Sequence, residues 1–244
     1  MRERTTVDSE IEQDEAGWEF DDEVAENFDD HVRRSIPNYD SIQQQVVKLT
    51  DWFIQSGHDG TIYDLGCATG ETIQRLVEHH RWSGVEFVGV DVEEAMLREA
   101  REQHSVNDSV RLVNRDLTRD PRFPEATVVV SLFTLSFIPE GDRAELLARI
   151  YDELPKGGAF IFCEKTRASS AIFQDIYTEH YWDFKSSRGL DDEQILGKAK
   201  TLRGQLRPLT LDEYRELLTD AGFDRENVGV WYKWLPWAGM VARK

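Results

Sequence analysis

Apolar residues near the start of the chain recur at helical spacing. Phe20, Val24, Phe28, Val32 and Ile36 repeat every four residues; Pro37 interrupts them, and Ile42, Val46, Val47, Leu49, Trp52 and Phe53 form a second run. A period of this kind turns one face of a helix toward a core, so residues 17–56 are expected to form an N-terminal helical cap. Residues 1–16 (MRERTTVDSEIEQDEA) carry almost no large apolar groups to offset the entropy of ordering and are expected to be a disordered acidic tail.

Beyond the cap, short β-rich segments alternate with amphipathic stretches of helical length. Thr61–Leu65, Val85–Val90, Val110–Asn114, Ala126–Leu132 and Ala159–Glu164 are predicted strands. Helices are predicted over Glu71–His80, Glu93–Gln103 and Asp142–Leu154. The fourth strand, ATVVVSL, is nearly continuously apolar, as suits a central strand covered on both faces. Residues 167–205 break the rhythm with a polar stretch interrupted by Phe173, Tyr177, Tyr181, Trp182 and Phe184, read as a helical insertion over the carboxyl edge of the sheet. Leu211–Asp220 resumes as a helix, and Val228–Trp234 with Ala238–Ala242 reads as a closing hairpin. The expectation for residues 57–244 is one Rossmann-like α/β domain with a mostly parallel seven-stranded sheet.

Composition narrows the possible partners. Of 244 residues, 47 are acidic and 29 basic, a formal charge of −18. Such a chain repels phosphate backbones, so no direct nucleic-acid partner is expected. The longest apolar runs fall short of a membrane span, so no membrane association is expected either. The first residues lack a secretion signal, which points to a cytoplasmic protein. The acidic excess suggests a halophilic source, where salt screens self-repulsion. Cys67 and Cys163 lie far apart with no zinc-type spacing, so neither a disulfide nor a metal is expected.

Three sites at predicted strand ends carry the chemistry. Asp64-Leu65-Gly66-Cys67-Ala68-Thr69-Gly70 is a glycine turn between strand and helix, where backbone can approach a ligand closely. It lacks the third glycine of a dinucleotide fingerprint and the GK[ST] of a P-loop. Asp91, about 20 residues on, can accept two ribose hydroxyls or cap the following helix. Asp116 can take the amine of an adenine while Leu117 packs on the ring. In that order, at one sheet edge, these residues point to a nucleoside-type ligand.

With these residues in place, the chain resembles the class I S-adenosylmethionine-dependent methyltransferases: DLGCATG, GVDVEEAM, NRDL, the apolar fourth strand and the LPKGG turn at 154–158 carry the likeness. It is most similar to the carboxy-S-adenosylmethionine synthase family, through FDDEVAENFDDHVRRSIPNYDSI at 20–42, FTLSFI at 133–138, CEK at 163–165 and DFK at 183–185. The resemblance implies that Tyr39, Gly66, Cys67, Asp91, Val92, Asp116 and Leu117 contact S-adenosylmethionine, with Asp64, Ala68 and Gly70 in the same loop. It implies a homodimer, and a reaction in which prephenate donates a carboxyl group, yielding carboxy-S-adenosylmethionine for tRNA wobble-uridine modification by a second enzyme. Two positions depart from the family: Leu132 stands where it carries a ligand-binding Asn, and Ala199 where it carries the Arg that pairs with the added carboxylate. Lys198, Lys200 or Arg203 are the nearby cations, without the fork geometry in the lysines. The leading expectation is therefore methyl transfer from S-adenosylmethionine to a small-molecule acceptor, with carboxy-S-adenosylmethionine synthesis as the alternative. Tyr39, His180, Tyr181, Trp182, Trp231, Trp234 and Trp237 are candidates for the acceptor site, His180 and Tyr39 for catalysis, and His180 for the base. The other histidines, His31, His58, His79, His80 and His104, are expected on solvated faces or loops, and Cys67 as a small packing residue.

Overall fold

The strands form where the β-rich segments predict them. The computed structural model describes residues 22–54, 59–81, 84–105 and 107–244; the tail expected over 1–16, the first residues of the cap and His58 lie outside these. The strands are β1 Gly60–Leu65, β2 Val85–Asp91, β3 Val110–Asn114, β4 Ala126–Leu132, β5 Ala159–Lys165, β6 Val228–Trp234 and β7 Trp237–Arg243. They make one sheet in the order β3-β2-β1-β4-β5-β7-β6. The first five pair in parallel, and β7 runs antiparallel between β5 and β6. Strand order reverses between β1 and β4, which places the ligand-binding crevice of an open α/β sheet outside their carboxyl ends.

Helices cover both faces: α1 Asp22–Ser35, α2 Tyr39–Thr50, α3 Glu71–His80, α4 Glu94–His104, α5 Glu140–Glu153, α6 Ala171–Ser187, α7 Asp192–Thr201 and α8 Leu211–Asp220. The pleat of β4 explains the two cores. Val128 and Val130 project into one with Ile42 and Val46 of α2 and Leu76 of α3; Val129 projects into the other with Leu147 of α5 and Leu218 of α8. The apolar period of the cap thus serves the main core. Trp52, the late member of that period, is instead 83% exposed, because α2 ends at Thr50 and the helical spacing no longer applies beyond it. The insertion is α6 and α7. Asp191 starts α7 with a reciprocal capping box to Gln194, and Thr210 starts α8 in the same way with Glu213. Among the described residues no helix is long and apolar enough to cross a membrane.

Three histidines expected on solvated faces are buried. His80 bonds Thr50 Oγ1 at 2.8 Å, His104 lies 3.4 Å from the Gly70 carbonyl, and His31 bonds Ser35 Oγ. The period of a helix locates its core-facing side but does not reveal a second layer above it, and here neighbouring elements cover the other side too. His79 is exposed, as expected.

Candidate functional site

The glycine loop after β1 is shaped by left-handed backbone. Gly66, Ala68 and Gly70 have φ of 72°, 47° and 88°; for Ala68 that conformation carries strain. The Gly66 and Cys67 amides both donate to the Val90 carbonyl, at 2.7 and 3.1 Å, tying the loop to the end of β2. A Cβ on Gly66 would come within 2.2 Å of Thr134 Oγ1, so the loops after β1 and β4 can meet only through glycine.

Asp91 completes this edge. Its Oδ2 accepts the Ala68 amide at 2.8 Å and its Oδ1 the Glu93 amide at 3.0 Å. The carboxylate thus anchors the glycine loop as well as the start of α4, where Glu93 holds the N-cap position without a side-chain cap bond. Burial pushes the Asp91 carboxyl up, and the amides that bond it pull it back down. Beneath it, Asp64 is wholly enclosed; burial, then the charge of Asp91, raises its carboxyl to about 8. Its Oδ2 has no hydrogen-bond partner among the described residues. Asp116 turns inward on its own loop, accepting the Thr118 amide at 2.9 Å and hydroxyl at 2.7 Å, bonds that hold its carboxyl below the usual range.

A cavity of about 890 Å³ opens at this edge beneath α1, α2, α6 and α7. Of the residues expected to contact ligand, Tyr39, Gly66, Cys67, Ala68, Asp91, Val92 and Leu132 line it. Asp64, Gly70, Asp116 and Leu117 lie beside it without lining it: Asp64 is buried under the loop, Gly70 caps α3, and Leu117 is packed in the second core. His180 is not brought to the cavity. It is exposed on α6, one residue from the buried Tyr181, and adjacent positions on a helix point about 100° apart.

The far side of the cavity is aromatic. Tyr39 lies 6.1 Å from Phe133, Phe133 5.3 Å from Trp237, and Trp237 5.9 Å from Tyr181, centroid to centroid. Trp182 also contributes, while Trp231 and Trp234 do not: Trp231 Nε1 donates to the Met240 carbonyl at 3.0 Å, and Trp234 packs on Phe184. Tyr39 Oη accepts from Gln43 at 3.0 Å, and burial raises its phenol far above the ordinary value, so it stays protonated.

Cations cluster against these rings. The ammonium groups of Lys165 and Lys185 lie 5.0 and 4.6 Å from the Tyr181 ring centroid. Burial alone pushes the Lys165 ammonium down, and no carboxylate among the described residues pairs with it. Lys198, beside Ala199 in the wall, contacts His31 Nε2; Arg203 also lines the cavity, whereas Lys200 is exposed and outside it.

The neighbouring acid points elsewhere. Glu164 accepts hydrogen bonds from the Leu135 amide at 2.6 Å, the Ser136 amide at 3.3 Å and Ser136 Oγ at 2.6 Å, and burial lifts its carboxyl to about 7. Arg143, fully buried, donates to the Ile138 and Ser136 carbonyls at 2.8 and 3.1 Å. Together they hold the loop after β4 that carries Phe133 and Thr134. Over the glycine loop, Thr69 Oγ1 donates to Asp29 of α1 at 2.8 Å, and Arg33 pairs with Glu71 at 2.9 Å, so α1 forms a tethered roof.

Lys165, Lys185 and Phe133 were not among the site residues expected from sequence. The segments CEK, DFK and FTLSFI contained them, but nothing in their local pattern reveals which side chains converge.

A methyltransferase domain family matches residues 62–158. The carboxy-S-adenosyl-L-methionine synthase of Staphylococcus epidermidis is 30% identical over 228 residues, 93% of this chain and 97% of that one. Its counterpart in Pseudomonas putida is 34% identical over 230 residues, 91% of each. Among solved structures, human N-acetylserotonin methyltransferase in complex with S-adenosylmethionine aligns with a TM-score of 0.62 at 17% identity, covering 91% of this chain and 55% of that one. A phosphoethanolamine N-methyltransferase of Haemonchus contortus aligns with 0.59 at 16%, covering 82% and 52%. These structural likenesses concern the fold.

Proposed function

Because the chain belongs to the carboxy-S-adenosyl-L-methionine synthase family, and so to the S-adenosylmethionine-dependent transferases, we propose that it transfers the methyl group of that cofactor to a small acceptor bearing a carboxylate. The cavity residues fit the cofactor. The glycine loop lines the cavity with backbone, and Asp91, already oriented by two amides, keeps carboxylate lone pairs for further hydroxyls. A volume of about 890 Å³ leaves room for a second molecule beside a nucleoside. When bound, S-adenosylmethionine supplies a methyl group activated on a sulfonium.

One observation carries the choice of acceptor: in a chain of net charge −18, Lys165 sits half-buried against Tyr181 in the cavity wall, and no carboxylate among the described residues pairs with it. An ammonium partly withdrawn from water is favoured by a nearby anion, and the cavity is where a ligand would bring one. The Tyr39, Phe133, Trp237 and Tyr181 rings offer apolar surface to a planar body and exclude water. Tyr39, held protonated, acts as a hydrogen-bond donor rather than a base. Methyl transfer is favoured over carboxyl transfer because Leu132 and Ala199 place apolar groups where the family resemblance implies an Asn and an Arg fork, and Lys198 contacts His31 instead.

The second reading is carboxy-S-adenosylmethionine synthesis, favoured by relatives of that name that match over nearly their full length. Under it the same lysines would take the carboxylates of prephenate. Mass spectrometry of the nucleoside products separates the two. The protein is incubated with S-adenosylmethionine and either prephenate or a panel of aromatic carboxylates. Demethylated cofactor formed only with an acceptor supports methyl transfer; a nucleoside heavier by one carboxyl group, formed with prephenate, overturns it in favour of the synthase.

A further inference from the structure

We propose that Asp51, His79 and His80 form a binding site for a zinc ion, on the opposite edge of the sheet from the cavity. α3 starts at the glycine loop and runs back across the sheet, so its last two residues, His79 and His80, lie remote from the ligand edge. There they meet Asp51, the residue that ends α2. One donor atom from each of the three lies within 4.8 Å of the other two. His79 Nε2 is 2.8 Å from Asp51 Oδ1, and the two imidazole rings stand nearly perpendicular with centroids 4.8 Å apart.

Two imidazoles and one carboxylate suit zinc, which takes His nitrogen and Asp oxygen at about 2.0 to 2.2 Å in a tetrahedron, with water at the fourth position. Oxygen-seeking Mg²⁺ and Ca²⁺ are poorly served by such a set. Tetrahedral ligands stand roughly 3.4 Å apart at those bond lengths, so closing the site needs small side-chain movements. The side chains of His79 and Asp51, 34% and 51% exposed, have room to make them.

The buried member is oriented in advance. The Thr50 hydroxyl gives its hydrogen to the Val47 carbonyl at 2.6 Å, so its oxygen accepts from His80 Nε2 at 2.8 Å. That bond fixes the His80 ring and its tautomer, leaving the lone pair on Nδ1, as outer-shell partners do for zinc-bound histidines. The carbonyl end of α3 adds a field favourable to a cation. A zinc ion here would staple the cap helix α2 to α3 and would bind the folded chain in preference to the unfolded one.

The test uses the untagged full chain, stripped with a chelator. Titration calorimetry with zinc chloride is expected to show one equivalent bound, and thermal unfolding to show a higher midpoint with zinc and none of this gain with magnesium. His80→Ala would remove a buried ring, so the informative variants are His79→Ala and Asp51→Asn, both at exposed positions. Each is expected to weaken zinc binding at least tenfold and to lose most of the thermal gain, with folding otherwise intact. No stoichiometric binding to the parent chain, or equal binding by both variants, would overturn the site.

Discussion

The Asp91 carboxylate accepts the Ala68 amide at 2.8 Å, so the residue suited to bind a ribose also holds the glycine loop in its left-handed shape. Recognition and loop geometry are coupled in one side chain. Asp91→Ala is expected to weaken binding of the demethylated cofactor by about 1 to 3 kcal/mol, or about 5- to 150-fold. Calorimetric titration measures this; unchanged affinity would leave Asp91 as a scaffold for α4 alone.

Lys165 carries the proposed acceptor. Lys165→Met keeps the unbranched side chain as far as Cε and removes an ammonium that desolvation disfavours. The variant is expected to be at least as heat-stable as the parent, because a half-buried charge with no carboxylate partner among the described residues is costly, while KM for a carboxylate acceptor rises tenfold or more and cofactor affinity stays constant. A loss of stability with unaltered KM would show that Lys165 pairs within the fold.

Asp64 makes a signed prediction about pH. Its folded-state value of about 8 lies above the reference 3.8, so between those values the folded chain holds a proton that the unfolded chain has released. This group's contribution therefore declines as pH rises through that window, by up to about 1.4 kcal/mol per pH unit. Asp64→Asn is expected to match the parent near pH 4 and to gain on it progressively toward pH 8. Urea unfolding across the range reads the difference, and parallel curves would mean that Asp64 ionises normally.

Gly66 cannot carry a side chain. With φ at 72° and Thr134 Oγ1 at 2.2 Å from the would-be Cβ, Gly66→Ala is expected to cost about 1 to 3 kcal/mol of stability and to impair cofactor binding. Thr134→Ala in the same chain should restore part of this by removing the clash, though not the backbone strain. Absence of any rescue would place the whole cost in φ.

A net charge of −18 makes salt a stabiliser by screening self-repulsion. The melting temperature is expected to climb between low ionic strength and about 1 M salt, where the Debye length is near 3 Å. A flat profile would remove the case for a halophilic protein.

Much of this architecture was legible because periodicity and strand chemistry act locally. β3, β4, α3 and α8 begin and end where the sequence pattern sets them, since glycine turns, caps and alternating runs mark their boundaries. The site was legible in its backbone part: the glycine loop and Asp91 sit at strand ends that the topology brings together. Its side-chain part was not. Whether His180 or Tyr181 faces inward depends on the rotation of α6 about its axis, which only packing sets. The packing of Lys165 and Lys185 against Tyr181 joins β5 to a helix of the insertion, and Asp116 satisfies itself with Thr118. The meeting of Asp51 with His79 and His80 depends on how α2 lies against α3, which no spacing along the chain encodes.

β7 lies between β5 and β6, yet β6 is made first. As the chain leaves the ribosome, β6 therefore emerges with no neighbour to join, and it reaches the sheet only when residues 237–243 have been synthesised and have slotted beside β5. Closure of the sheet therefore waits for β7, and a nascent chain stalled before Trp237 would lack two strands rather than one, exposing the flank of β5 to whatever strand it meets.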